Sequence, residues 1–219
     1  DKGSEIIKKD NVFNKTKFFP DSKLNYTENI LKKKSDKLAI NFLSEKGFEE
    51  NITWNELYEK VCKFSSYLKK LNLQKGDRVA AYVPNKIETI ICFLACAKNG
   101  IIWSSCSPDF GAQGVVDRFK QIEPKVFITC DYYYYNGKKI NILDKVEKIL
   151  KQIPSIKKVI AFNYNKQERE SFKNFINFEE TLKNDLDEVF ERFEFNHPIY
   201  ILFSSGTTGK PKCLSLIHI

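Results

Sequence analysis

The residues best suited to chemistry lie in one short stretch near the end of the chain, Ser204-Ser-Gly-Thr-Thr-Gly-Lys-Pro-Lys212. It follows an apolar run, 200–203, that has the length and composition of a buried strand. The two glycines allow the backbone to turn sharply and to bring N–H groups close to an anion. Hydroxyl side chains and two lysines add hydrogen-bond donors and positive charge. This combination predicts a loop that binds polyphosphate.

The spacing of this loop excludes a Walker A motif. A Walker A loop places four residues between its first glycine and its Gly-Lys pair, and a Ser or Thr after the lysine. Here only Thr207 and Thr208 separate Gly206 from Gly209, and a proline follows Lys210. The alternative to a phosphate loop is an ordinary hairpin turn rich in glycine and hydroxyl residues.

The composition is that of a globular protein with a basic charge balance. Hydrophobic residues are 42% and charged residues 29% of the 219 residues, which argues against disorder. The net charge of +8 raises the alternative of a nucleic-acid or membrane partner. However, the lysines are dispersed, and the tyrosines at 132–135 have no basic stripe beside them apart from Lys138 and Lys139. We expect no nucleic-acid partner and no membrane association, and the oligomeric state stays open.

The cysteines indicate a reducing compartment. The chain has six of them, none in a Cys-x-x-Cys pair and most inside apolar runs. With two histidines in the whole chain, a structural zinc site is not expected. The longest apolar run, 90–97, is too short to span a bilayer. These features together predict a cytoplasmic protein.

Strand-like and helix-like segments alternate along most of the chain. Strands are expected at 38–43, 79–83, 101–104, 126–130, 159–162 and 200–203. Helices are expected at 54–71, 84–99, 115–122, 142–153 and 178–193. Thr53 and Glu56 have the spacing of a capping box, and the tyrosine-rich segment 132–139 is expected to be a loop. The alternation predicts an α/β fold, with a mostly parallel sheet flanked by helices in one continuous domain.

The pattern Ser-Ser-Gly-Thr-Thr-Gly-x-Pro-Lys resembles the phosphate loop of the adenylate-forming enzymes, which include acyl-CoA synthetases, luciferases and peptide-synthetase adenylation domains. Three further stretches are similar to the acetoacetyl-CoA synthetase branch of that family: 19–29, 102–111 (Ile-Trp-Ser-Ser-Cys-Ser-Pro-Asp-Phe-Gly) and 117–119. The resemblance covers 18–212. It implies the N-terminal part of an AMP-binding domain, about the first third of a full-length enzyme.

The resemblance implies a ligase that joins acetoacetate to coenzyme A, with ATP and magnesium as cofactors. The acid would attack the α-phosphate of ATP to give an acyl-adenylate and pyrophosphate, and the CoA thiol would then displace AMP. The residues that match the family's ATP phosphate loop are Ser204, Ser205, Gly206, Thr207, Thr208, Gly209 and Lys212. Among these, Thr207 and Lys212 are the catalytic candidates, because they would disperse charge on the leaving pyrophosphate. No residue is assigned as a metal ligand, and Lys210 falls at a variable position.

A second site implied by the resemblance is the turn Tyr135-Asn-Gly-Lys138. In acetyl-CoA synthetases an Arg-Gly-Gly-Lys-like turn at this place touches the phosphorylated ribose end of coenzyme A. Gly137 and Lys138 are therefore the candidates, although Tyr135 stands in place of the arginine. The alternative is a solvated turn with an incidental lysine.

The predicted organisation has three segments: an N-terminal extension at 1–17, the AMP-binding part at 18–213 and a possible read-through tail at 214–219. The tail Leu-Ser-Leu-Ile-His-Ile translates a common sequencing adapter, and Leu216 stands where the family has a histidine. We expect the tail to have no partner strand. We also expect these 219 residues alone to make no measurable thioester, because the family's adenine, ribose and acid contacts lie further on.

Two alternative functions stay open. Acetyl- and propionyl-CoA synthetases share this layout, although they usually differ in the stretch at 103–111. The alternative from a different class is a basic, non-catalytic protein that uses the loop to contact a nucleotide or RNA.

Overall fold

The fold is taken from a computed structural model, which describes residues 3–12, 15–168, 172–204, 209 and 211–217. The helices are α1 (Tyr26–Ile30), α2 (Trp54–Lys70), α3 (Ile87–Lys98), α4 (Ala112–Phe119), α5 (Leu143–Leu150) and α6 (Phe178–Thr181). The strands are β1 (Ile7–Lys8), β2 (Lys17–Phe18), β3 (Lys23–Leu24), β4 (Leu38–Leu43), β5 (Glu49–Thr53), β6 (Arg78–Tyr82), β7 (Ile102–Cys106), β8 (Val126–Cys130), β9 (Tyr132–Tyr135), β10 (Lys138–Asn141), β11 (Lys158–Phe162), β12 (Ile176–Asn177), β13 (Phe193–Glu194), β14 (Pro198–Phe203) and β15 (Cys213–Ile217).

The core of the molecule is a seven-stranded sheet in the order β12-β11-β8-β6-β7-β14-β15. Its neighbours run parallel except at one edge, where β15 is antiparallel to β14. The chain passes from β6 to β7 in one direction and from β7 back across β6 to β8, so right-handed crossovers place α3 and α4 on opposite faces. Contacts of α3 with α1 and α2, and of α4 with α5, complete the two helical layers. The predicted α/β class with a mostly parallel sheet is confirmed.

The longest helix, α2, shows how local sequence sets an element in place. The Thr53 side chain accepts a hydrogen bond from the Glu56 N–H, and the Glu56 carboxylate accepts one from the Thr53 N–H at 2.8 Å. This confirms the predicted capping box, which satisfies N–H groups that a helix start leaves unpaired. Behind it, Leu57, Val61 and Phe64 recur at helical spacing and are fully buried.

The segment after α6 is an extended strap instead of the predicted helix at 178–193. The helix ends at Thr181, and the strap crosses α2 and α3. Lys98 explains why: its ammonium is buried and lies 3.2 Å from an Asp187 carboxylate oxygen, and it donates to the Val189 carbonyl at 2.8 Å. Asn25 likewise donates to the Glu191 carbonyl at 2.7 Å. Inside the predicted helix the Val189 carbonyl would accept from the N–H four residues further on, so the extended form is the one that leaves this carbonyl to Lys98.

Two other expectations are also corrected. The tyrosine-rich segment 132–139 is not a loop, because β9 pairs with β10 in an antiparallel hairpin. The segment 213–217 does have a partner strand, since β15 pairs with β14 from Phe203 opposite Cys213 onwards. Both pairings join segments that are close in sequence: two residues, 136–137, connect β9 to β10, and the nine residues 204–212 connect β14 to β15. In the described part of the chain, no helix is both long and apolar enough to cross a membrane.

The ion pair under the strap yields a stability prediction. Asp187→Asn is expected to lower the free energy of unfolding by about 1–3 kcal/mol at pH 7, because Lys98 stays buried without a charged partner. Burial holds the pKa of Lys98 below its ordinary value despite Asp187. The unfolded chain therefore binds the proton more readily, and stability rises with pH between the folded and unfolded pKa values. Losing Asp187 depresses the pKa of Lys98 in the folded protein further. The difference in unfolding free energy between the variant and the unmodified protein is therefore expected to narrow from pH 7 to pH 10.

Urea unfolding at the two pH values measures both effects. Asp185→Asn, in the same strap but exposed, is the matched control. It is expected to change neither the free energy of unfolding nor its dependence on pH. Equal stability of the Asp187→Asn and Asp185→Asn proteins at pH 7 would contradict the role of Asp187.

Candidate active site

The predicted phosphate loop connects β14 to β15, and its base is closed by two hydrogen bonds. The Ser204 N–H donates to the Lys212 carbonyl at 3.0 Å, and the Lys212 N–H donates to the Ser204 hydroxyl at 3.3 Å. Ser204 is half-buried and Lys212 is exposed. The loop is thus held as a hairpin that starts at the carboxyl end of a parallel strand.

Within the loop, the structure describes Gly209, whose φ of 156° is a backbone conformation that L side chains rarely adopt. Pro211 is tied to the segment after α4, because the Gln121 side chain donates to its carbonyl at 2.8 Å. The other predicted phosphate-binding residues, Ser205, Gly206, Thr207 and Thr208, lie outside the described residues, as does Lys210.

A cleft of about 270 Å³ lies at the carboxyl ends of β6 and β7. Its lining comes from the end of β7, the segments that follow β6 and β7, the first turn of α3, and β9. It comprises Val83, Pro84, Asn85, Thr89, Ser105, Cys106, Ser107, Pro108, Asp109, Tyr133, Tyr134 and Tyr135. The sheet order also reverses here: the chain leaves β6 towards β7, whereas it leaves β8 towards β11. Crevices at such reversals are where open α/β sheets bind ligands. The cleft is therefore in the position expected of a binding site.

One side chain fixes the wall of this cleft. The Tyr82 hydroxyl, on the central strand, lies 2.7 Å from both the Pro108 and the Phe110 carbonyl oxygens. Burial raises the pKa of Tyr82, so the hydroxyl stays protonated and acts as the donor. The turn after β7 is thereby anchored to the centre of the sheet. The sequence offered little sign of this, because a tyrosine in a buried strand fits plain packing equally well.

The two residues predicted to contact coenzyme A, Gly137 and Lys138, lie at the tip of the hairpin formed by β9 and β10. Asn136 and Gly137 form its turn with φ values of 48° and 72°, the pair of positive values that a two-residue hairpin favours. Lys138 is exposed and stands opposite Tyr135, which lines the cleft. The Gly137 N–H donates to the Glu45 carboxylate at 2.9 Å. The turn therefore lies beside the cleft, and its glycine N–H already has an anionic partner.

Comparison with known proteins shows where this arrangement belongs. The model of the family described as AMP-binding enzyme matches residues 27–218. The chain belongs to the AMP-binding enzyme family. Its fold class and its resemblance to the acetoacetyl-CoA synthetase branch are both confirmed.

Individual members of this family are similar to this protein over nearly its whole length. It is 43% identical over 204 residues to the acetoacetyl-coenzyme A synthetase of Rhizobium meliloti (strain 1021), covering 90% of this chain and 31% of that protein. It is 41% identical over 210 residues to the acetoacetyl-CoA synthetase of Xenopus tropicalis, with the same coverage of 90% and 31%. The solved structure of the acetoacetyl-CoA synthetase from Streptomyces lividans superimposes with a TM-score of 0.91 at 34% identity, covering 97% of this chain and 33% of that one. The chain thus spans about a third of the length of these relatives.

The anchor at Tyr82 yields a prediction for this AMP-binding fold. Tyr82→Phe is expected to lower the free energy of unfolding by about 1 kcal/mol, because two carbonyls of the turn after β7 lose the hydroxyl that bonds to them. Urea unfolding measures the change. Tyr67→Phe is the matched control, since the Tyr67 hydroxyl makes no hydrogen bond to a described residue. Equal stability of the two variants would show that the Tyr82 hydroxyl does not hold the turn.

Proposed function

We propose that this chain provides the ATP phosphate-binding part of an acetoacetate–CoA ligase. The observation that carries the proposal is the base of the loop. Ser204 and Lys212, the first and last residues of the phosphate-loop pattern, bond to each other at the carboxyl end of a parallel strand. The similarity to acetoacetyl-CoA synthetases supports acetoacetate as the acid.

The donor set of the loop fits an oligophosphate. Its side chains are hydroxyls and lysines, and a glycine has no side chain to keep an anion away from the backbone N–H groups. The Lys212 side chain is exposed, and no ion pair engages it in the part of the chain that the structure describes. It is therefore free to form a charge-assisted bond with a phosphate oxygen.

The proposed chemistry has two steps. In the first, a carboxylate oxygen of acetoacetate attacks the α-phosphorus of ATP, and the bond to the bridging oxygen of pyrophosphate breaks. Lys212 and Thr207 hold the β- and γ-phosphates and disperse the charge that develops on the leaving group. In the second, the thiol of coenzyme A attacks the acyl carbon, its proton is lost and AMP leaves.

Magnesium, when bound with ATP, neutralises phosphate charge and so favours departure of pyrophosphate. The described residues contain no group of three or more His, Cys, Asp or Glu side chains that could hold a metal ion. We therefore assign no ligand of this chain to the ion and propose that it binds together with the phosphates.

Coenzyme A is proposed to bind beside the cleft, with Gly137 and Lys138 at its phosphorylated ribose. A phosphate at the Gly137 N–H would have to displace the Glu45 carboxylate that accepts from it. The exposed ammonium of Lys138 would favour that exchange by adding an attractive charge on the phosphate side. The tyrosines that line the cleft provide an apolar wall for the rest of the ligand.

We also propose a cytoplasmic location. All six cysteines are free thiols and five of them are buried. Burial raises the pKa of Cys92 and Cys96, which keeps these thiols protonated and unreactive. Free thiols of this kind suit a reducing compartment. Imaging of a tagged protein tests the location directly.

The activity is tested in the whole polypeptide that the coding sequence specifies. Acid-dependent exchange of labelled pyrophosphate into ATP is compared for acetoacetate, acetate and propionate. Acetoacetate is expected to give the highest rate. A higher rate with acetate or propionate would show that this acid, and not acetoacetate, is the substrate. Salt-sensitive binding to random RNA without exchange for any acid would favour the non-catalytic alternative.

The loop assignment predicts a difference between the half-reactions. Lys212→Ala and Thr207→Ala are each expected to slow adenylate formation by tens- to a hundredfold, equivalent to about 2–3 kcal/mol for one charged contact. Thioester formation from supplied acyl-adenylate is expected to change little, because pyrophosphate has left by then. Lys210→Ala removes the same charge at the variable position and serves as the control. Equal slowing of both half-reactions would count against the assignment.

The hairpin assignment predicts a selective effect on coenzyme A. Lys138→Ala is expected to raise the KM for coenzyme A about three- to tenfold, the effect of one exposed charged contact, without slowing pyrophosphate exchange. Lys139→Ala is the matched control, because the neighbouring Lys139 instead pairs with Glu168 at 2.8 Å. Unchanged KM values for both variants would indicate that the turn is only solvated and does not contact coenzyme A.

A further inference from the structure

The strand that carries the phosphate loop is weakly joined to the parallel sheet by its backbone. Where β14 meets β7, one register pair forms, Tyr200 opposite Trp103. In contrast, β6 and β7 form five pairs, from Arg78 opposite Ile102 to Tyr82 opposite Cys106. The backbone ladder alone therefore gives β14 little resistance to a shift along β7.

Side chains of β7 supply the missing connections on both faces of the sheet. On one face, the fully buried Ser104 donates from its hydroxyl to the Ile201 carbonyl at 2.9 Å. On the other face, the Ser105 hydroxyl is hydrogen-bonded to the Tyr200 hydroxyl. Successive strand residues point to opposite faces, so two adjacent serines can tie one neighbouring strand from both sides.

Aromatic packing accompanies the second of these bonds. The rings of Trp103 and Tyr200 both contact Phe93 of α3, with centroids 6.2 and 5.8 Å away. Tyr200 is thus held by its ring against a helix and by its hydroxyl against β7. A stiff ring with a hydrogen bond at its far end has few ways to move.

We infer that Ser104, Ser105 and Tyr200 are positioning residues. They fix β14 against β7 and so set where the phosphate loop lies relative to the cleft at the ends of β6 and β7. The distance in sequence is small: Tyr200 lies four residues before Ser204, at the loop base. A strand is stiff over that length, so displacement of β14 at Tyr200 also displaces the loop. Misplacement by about 1 Å can cost a hundredfold in rate when two reactants must be aligned. The inference deepens the proposed function and rests on it for its kinetic consequences.

The first test measures how firmly β14 is held against β7, and it needs no substrate. Amide hydrogen exchange is measured on Ser104→Ala, Ser105→Ala, Tyr200→Phe and the Ser105→Ala/Tyr200→Phe double variant. Exchange is expected to accelerate about two- to tenfold in β14 and at Lys212, and to stay unchanged in β6 and β8. The double variant is expected to match either of its single variants, because both remove the same bond.

Matched controls separate this effect from general loss of stability. Ser65→Ala removes a fully buried serine hydroxyl that bonds to Asn99 at 2.8 Å, and Tyr58→Phe removes a tyrosine hydroxyl that bonds to Glu188 at 2.9 Å. Both are expected to leave exchange in β14 unchanged. Ser105→Thr keeps the hydroxyl and suits a strand, so it is expected to restore the original exchange. Unchanged exchange in every β7 and β14 variant, or equal acceleration in β6 and β8, would overturn the inference.

The second test reads the kinetic consequence in the whole encoded polypeptide. The Ser104→Ala and Tyr200→Phe variants, whose residues do not line the cleft, are expected to slow acetoacetate-dependent pyrophosphate exchange about three- to tenfold, with thioester formation from acyl-adenylate unchanged. Equal slowing of both half-reactions would contradict a role in placing the phosphate loop. If the unmodified protein exchanges pyrophosphate with none of the acids, the proposed function fails, whereas the hydrogen-exchange result still decides the inference.

Discussion

The structure depends on burying one strand, β6, on both faces and along both edges. Val79, Ala80, Ala81 and Tyr82 have no exposed surface, and parallel ladders to β7 and β8 satisfy their backbone groups. A strand so enclosed must be apolar where it is buried, from Val79 onwards, and its neighbours must bring helices that cover the sheet. Every candidate site described above lies where chain segments leave this enclosed centre: the turn after β7, the hairpin after β8 and the loop after β14.

Away from that centre, polar side chains take over the task of joining elements. Tyr82 anchors the turn after β7 by its hydroxyl, and Ser104 joins β7 to β14. Lys98 fixes the strap through Asp187 and a backbone carbonyl. Each of these groups is buried, so leaving it without its partner costs more than an exposed hydrogen bond gains. The same contacts therefore specify position as well as contributing stability.

This distribution also suits the proposed chemistry. A loop that binds the phosphates of ATP must hold several donors in fixed places, yet its own sequence is rich in glycine and small polar residues. Such a sequence buries little apolar surface and cannot fix its own position. The geometry has to come from the elements at its ends, here a closed base and a strand held on both faces.

The sequence by itself determined the fold class, the capping box at Thr53, most of the parallel strands and the family. These follow from local patterns: apolar periodicity, a residue pair at fixed spacing and the contiguous phosphate-loop motif. It could not determine the strap after α6, because 178–193 has a helical pattern and the deciding partners, Lys98 and Asn25, lie far away in sequence. Nor could it assign a role to Tyr82, Ser104 or Tyr200, since a hydroxyl in a strand acquires a partner only when another strand or turn is placed beside it. Tertiary structure decides such contacts because they join residues whose proximity is a consequence of strand order, which no single segment encodes.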